Sequence, residues 1–154
     1  MIAVFLVMLL GQDAAARGDL RKLAPYARRM EVVVRLGDGN WLSEPALREL
    51  RRWPVAPTLE LRPPISSREA KQLRKLKRFR ALLAYGSAKD RSLRHLAPAL
   101  ASVRAEPRTP LPVKELPCPG TALMGRPGAS DLLSAPDGLD RCVLGWLSDR
   151  FGSR

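Results

Sequence analysis

The side chains best suited to nucleophilic or metal chemistry are few: one histidine, His95, and two cysteines, Cys118 and Cys142. Two thiols and one imidazole fall short of the four ligands of a structural zinc site. His95 is the third residue of Leu93-Arg94-His95-Leu96, a position that faces water on an amphipathic helix. General acid–base work needs a pocket and a partner, and the pattern offers neither. Gly120 and Gly125 have the spacing of a phosphate-binding loop, but Arg126-Pro127 stand where that loop carries Lys and Ser or Thr. Gly37-Asp38-Gly39-Asn40 holds one carboxylate, too few for calcium, and reads as a turn. No Ser-His-Asp order and no carboxylate pair stands out. The expectation is a non-catalytic chain with no metal site and no cofactor.

Charge is the stronger chemical signal. The 154 residues hold 27 Lys and Arg against 15 Asp and Glu, a formal net charge of +12. Such a field attracts polyanions, although a composition rich in Arg, Ala, Pro and Gly also places arginine on a surface with no partner in view. The cations have an order: Arg48 and Arg52 fall on one predicted helix, Arg74, Lys75 and Arg78 on the next, and Arg94 on a third. Stacked helices would align them as a basic ridge. Aromatic residues make up only 5% of the chain, so platforms for base stacking are scarce and no nucleic-acid motif is present.

The elements that would position these groups come from a repeat. Leu20-Arg21-Lys22-Leu23, Leu47-Arg48-Glu49-Leu50, Leu73-Arg74-Lys75-Leu76 and Leu93-Arg94-His95-Leu96 share one pattern. Leucines three apart share a helical face. About ten residues after the start of each motif comes a short alternating segment: 31–36, 58–62, 81–85 and 102–106. Alternation predicts half-buried strands. Asp19, Ser43 with Pro45, the Ser66–Glu69 capping box and Asp90 mark helix starts. Trp41 and Trp53 flank the second helix and are expected to fill gaps between layers.

Units of one strand and one helix at this length resemble leucine-rich repeats over residues 19–106. The resemblance implies a short β/α solenoid of about four to five repeats, with parallel strands in chain order and a C-terminal capping helix. The asparagine or cysteine that closes the family's turns is replaced after these strands by Pro63, Gly86 and Pro107. Outward columns of the sheet would read Val33, Glu60, Leu83, Arg104 and Arg35, Arg62, Tyr85, Glu106. The expected binding face is therefore Arg35, Glu60, Arg62, Tyr85, Arg104 and Glu106. Its mixture of charged, aliphatic and aromatic groups suits a protein partner, with a polyanion on the basic ridge as the alternative.

The ends complete the reading. Ile2–Leu10 is an unbroken apolar run followed by Ala14-Ala15-Ala16. This is the pattern of an export signal over 1–16, too short to span a bilayer. Its alternative is a buried first strand. Export would place 17–154, a single repeat domain, in the periplasm, cell envelope or medium. Residues 107–130 are rich in Pro and Gly and read as a loop or a degenerate fifth unit with a strand over 121–125. Residues 131–154 read as the cap, with Leu139, Cys142, Val143, Trp146 and Leu147 at helical spacing. In an oxidising compartment Cys118 and Cys142 would form a disulfide; the alternative is two buried free thiols acting as small hydrophobes.

Overall fold

Eight leucines three apart in four motifs must share one apolar layer, and they do. In a computed structural model that describes residues 4–9, 20–29, 31–36, 39–105, 109–110, 122–125, 131–135 and 141–151, all eight are buried. The motif arginines Arg21, Arg48, Arg74 and Arg94 are all exposed. The fold is α/β, with parallel strands and helices.

The strands are β1 (Val4–Leu9), β2 (Glu31–Arg35), β3 (Thr58–Leu61), β4 (Phe79–Leu83), β5 (Leu100–Arg104), β6 (Thr109–Pro110), β7 (Ala122–Gly125) and β8 (Asp131–Ala135). They form one sheet in the order β5-β4-β3-β2-β1-β8-β7-β6. β1 to β5 run parallel, each beside its successor in sequence. Helical segments connect them: residues 20–23 with the 3₁₀ turn Ala24–Tyr26, then α1 (Glu44–Arg51), then α2 (Ser67–Leu73) with Arg74–Leu76, then the 3₁₀ helix Arg91–Leu96. One core cluster unites the motif leucines with Val32, Val34 and Leu36 of the first unit, Leu59 and Leu61 of β3, and Phe79, Ala81 and Leu83 of β4. The helical segments therefore cover one face of the sheet.

Helix starts follow the capping signals. Ser43 Oγ accepts from the N–H of Ala46, with Pro45 in the first turn. Ser66 and Glu69 form the complete capping box of α2. Asp90 accepts from the N–H of Ser92. The units are also clamped to one another by side chains on backbone. Asn40 Oδ1 accepts from the N–H of Arg62 at 2.8 Å, and its Nδ2 donates to the Arg62 carbonyl at 3.0 Å. The Glu69 carboxylate accepts from the N–H of Asn40 at 2.7 Å. Gln72 both accepts from and donates to the Leu42 backbone. Ser92 Oγ accepts from the N–H of Ile65. A turn in one unit is thus satisfied by the next. Asn40, 2% exposed, closes the backbone at the end of β3 from the turn that follows β2.

Several expectations need correction. β4 and β5 begin two residues earlier than predicted, because Phe79 is fully buried and opens its strand. Leu83 then faces the core, and Leu82 takes its place on the other face. A slip of one residue exchanges the two faces of a strand. The Pro/Gly-rich stretch does supply a strand, β7, but it pairs antiparallel with β6 and β8 on the β1 side of the sheet. It is not a fifth unit following β5. The closing helix α3 spans Arg141–Phe151. Its Leu147 is fully buried in the common core, while Cys142 is exposed and off the apolar face. Glu49 is buried at the motif position expected to face water, and Trp41 is 45% exposed instead of filling a gap. Trp53 is buried, with Nε1 donating to the Leu20 carbonyl. Asp19, Asp38, Glu106, Cys118 and the side chain of Trp146 lie outside the described residues.

Glu69 gives the clamp a pH dependence. Burial alone would raise its carboxyl, but the N–H groups of Ser66 and Asn40 together hold it below the usual range. A carboxylate with a depressed folded-state pKa adds stability that is complete above its unfolded value, about 4.3, and is lost as pH falls through the folded value. Acid titration of the denaturation midpoint should therefore show a loss below about pH 4 that is smaller in Glu69→Gln. Equal acid slopes in the two proteins would remove Glu69 from the linkage.

Candidate functional site

The face of the sheet opposite the helices was the predicted binding surface. Register places Arg35 beside Glu60, Glu60 beside Leu82 and Leu82 beside Arg104. Three of the six predicted residues thus lie in one row. Arg35 and Glu60 are joined in a two-point ion pair, with Nε to Oε1 at 3.0 Å and Nη2 to Oε2 at 3.4 Å. Pairing of this planar kind spends both charges within the sheet. The adjacent row runs Val33, Thr58, Arg80 and Ser102. Val33 and Thr58 are almost fully buried, so the centre of this face offers little area for contact. Thr58 Oγ1 and Arg80 Nε, on neighbouring positions of this row, are buried without a hydrogen-bond partner.

Two further predicted residues of the face fall off the sheet, and Glu106 lies outside the described residues. Arg62 follows β3, and its backbone is held by Asn40. Tyr85 lies in the bend after β4 and is 58% exposed. Gly86, at φ +86°, completes that bend in a conformation glycine adopts without strain.

The helical side has a different character. All six residues of the predicted ridge, Arg48, Arg52, Arg74, Lys75, Arg78 and Arg94, are exposed. The ridge is partly neutralised. Lys75 pairs with Glu44 at 2.9 Å, and Arg52 approaches Glu49 at 3.7 Å. Glu49 also takes Arg21 of the preceding unit at 2.8 Å, which explains how a buried carboxylate is tolerated in the motif. The Glu44 carboxyl is lowered by its hydrogen bond from Lys75, and the Arg21 guanidinium is raised by its bond to Glu49.

Counted over 39–105, fifteen Lys and Arg face five Asp and Glu. Each of the five carboxylates is engaged inside the molecule: Glu44 by Lys75, Glu49 by Arg21, Glu60 by Arg35, Glu69 by Ser66 and Asn40, and Asp90 by Ser92. Ten of the fifteen cations, Arg48, Arg74, Arg78 and Arg94 among them, are exposed, and their side chains make no salt bridge or hydrogen bond among the described residues. Sequence reasoning found the cations but not this asymmetry. Legible traces of it were the Ser66–Glu69 capping box and the cap at Asp90, which already committed two of the acids.

His95 is exposed on the 3₁₀ helix Arg91–Leu96. Among the described residues no group of three or more His, Cys, Asp or Glu could hold a metal, and no helix is long and apolar enough to cross a membrane. Set against known families, curated proteins and solved structures, the chain matches none.

Proposed function

We propose that this chain is a non-catalytic binding domain whose basic helical side engages an anionic partner. One observation carries the reading: over 39–105 every carboxylate is committed to an internal contact, while ten cations stand exposed with no salt bridge among the described residues. A surface of this kind attracts anions from a distance and holds them by many weak contacts. A heparin fragment is a suitable polyanionic probe. Its affinity should fall steeply and linearly on a log–log plot as salt rises. Charge reversal at Arg48, Arg74 and Arg94 together should reduce that slope by about three contacts or more. No binding at low salt, or a slope unchanged in the triple variant, would sink the reading.

A second reading, protein contact near the strand face, draws support from Tyr85, an exposed aromatic of the type enriched in interfaces. We also propose that β2 to β5 and their helical segments form a short stack of repeats. The support is the aligned row Val34, Leu59, Ala81 and Val103, together with the clamps from each unit to the next.

Export remains a proposal in competition with retention of residues 1–16. The pairing of β1 on both sides favours retention. Sequencing the N-terminus of the native protein separates the two, since export predicts a start near Arg17. The Cys118–Cys142 disulfide belongs with export, and mass spectrometry of the non-reduced protein tests it.

A further inference from the structure

A cavity of about 360 Å³ opens between the segment leading into β3 and the turn leading into β4, with Arg51, Pro54, Val55, Ala56, Lys77 and Arg78 in its lining. Its apolar lining is continuous with the core: Leu50, Trp53 and Leu76 are buried, and Val55 is half-buried against them. Its charged lining is of one sign. Arg51, Lys77 and Arg78 are exposed and form no salt bridge, and among the described residues no carboxylate lines the site.

Lys77 is unusual in its backbone as well. Its φ of +68° is the only positive value at a non-glycine residue among the described residues. Glycine would adopt that conformation freely, and lysine adopts it at a cost. The turn therefore keeps a cation at the mouth of the cavity where backbone preference favours glycine.

We infer that this cavity anchors an acidic peptide segment of a partner protein, which places one apolar side chain over Pro54, Val55 and Ala56, the accessible part of the apolar lining, and its carboxylates on Arg51, Lys77 and Arg78. The inference rests on the anionic-partner reading above and names the partner. Concavity decides against a membrane surface, which is bound by apolar side chains that protrude. The state of the aromatics decides against single-stranded nucleic acid. Trp53 is buried with its Nε1 engaged on Leu20, and the exposed rings, Trp41 and Tyr85, do not line the cavity. Base stacking needs an open ring face. An apolar floor with a cationic rim is the complement of an apolar anchor flanked by acids.

The test uses the full chain and two synthetic peptides, Glu-Glu-Phe-Glu-Glu and Glu-Glu-Ala-Glu-Glu, in titration calorimetry. The Phe peptide should bind at least about tenfold more tightly than the Ala peptide, equivalent to about 1.4 kcal/mol. Lys77→Gly should weaken the Phe peptide by about threefold to tenfold while leaving the melting temperature equal or higher, because glycine relieves the turn. Arg78→Gln should weaken it similarly with no change in melting. Equal affinity for the two peptides overturns the cavity as an anchor. If heparin then still binds with its salt slope, the basic-surface reading stands without it. Failure of both peptides and of heparin overturns both. Tighter binding of an oligothymidylate or of phosphatidylglycerol vesicles than of the Phe peptide, lost in Lys77→Gly, assigns the site to that occupant and overturns the peptide.

Discussion

A chain shortened to begin at Arg17 should fail to unfold cooperatively, because the deletion removes the strand at the middle of the sheet. β1 aligns five residues with β2 and five with β8, both in parallel. Without it, β2 and β8 lose the strand that pairs with both. β8, β7 and β6 are then separated from the parallel strands, and β2 becomes an edge. Each ladder hydrogen bond contributes about 0.5–1.5 kcal/mol net, and a buried backbone group left unpaired costs about 1–3 kcal/mol. Against a whole-domain stability of about 5–15 kcal/mol, losing both ladders removes most or all of the total. Circular dichroism during a thermal ramp, for residues 1–154 and 17–154 side by side, reads the effect. A sharp transition at the same temperature in both proteins would show that the sheet does not depend on β1, and would return residues 1–16 to the export reading.

That segment shows where the sequence stops being informative. Val-Phe-Leu-Val-Met-Leu at residues 4–9 is equally good as the apolar centre of an export signal and as a strand buried on both faces. Periodicity is absent in both, so only pairing partners distinguish them, and those lie 26 or more residues away in the chain. The motif leucines were legible for the opposite reason. Each pair repeats locally, next to a cap, with polar neighbours that leave one apolar face. The strands were legible as strands but not in phase at β4, where Phe79-Arg80-Ala81-Leu82-Leu83 ends in two adjacent leucines. Either leucine can face inward on the alternation alone. Burial of Phe79 decides it, and that depends on what the helical layer supplies. Asn40 was read as a turn residue, which it is. Its second task, closing the backbone of Arg62, is a contact between units that spacing within one unit does not reveal. The basic surface was legible as composition. Its meaning depends on the acids, and whether Glu44, Glu49 or Glu60 is free to neutralise it is a question of three-dimensional pairing.

Leu73→Ala should cost about 2–5 kcal/mol, whereas Arg74→Ala, one residue along the same motif, should stay within about 0.5 kcal/mol. Leu73 is fully buried at the end of α2, within the cluster that joins the helical segments to β3 and β4. Truncation removes three carbons from a site framed by two strands and the neighbouring units, where collapse is limited and a cavity remains. Arg74 is exposed and holds no carboxylate. Its loss takes away a charge and little packing. The binding readout should invert the order. Arg74→Ala should weaken heparin and reduce the salt slope by about one phosphate-type contact, while Leu73→Ala, at a temperature where it remains folded, should bind as the parent does. Urea midpoints at equal m-values give the first comparison, and titrations at several salt concentrations give the second. A Leu73→Ala midpoint within the range of surface variants would take Leu73 out of the core and the motif out of the fold. Unchanged heparin binding in Arg74→Ala would leave the motif as a packing device alone, with its arginine serving only to keep one side of a short helix in water.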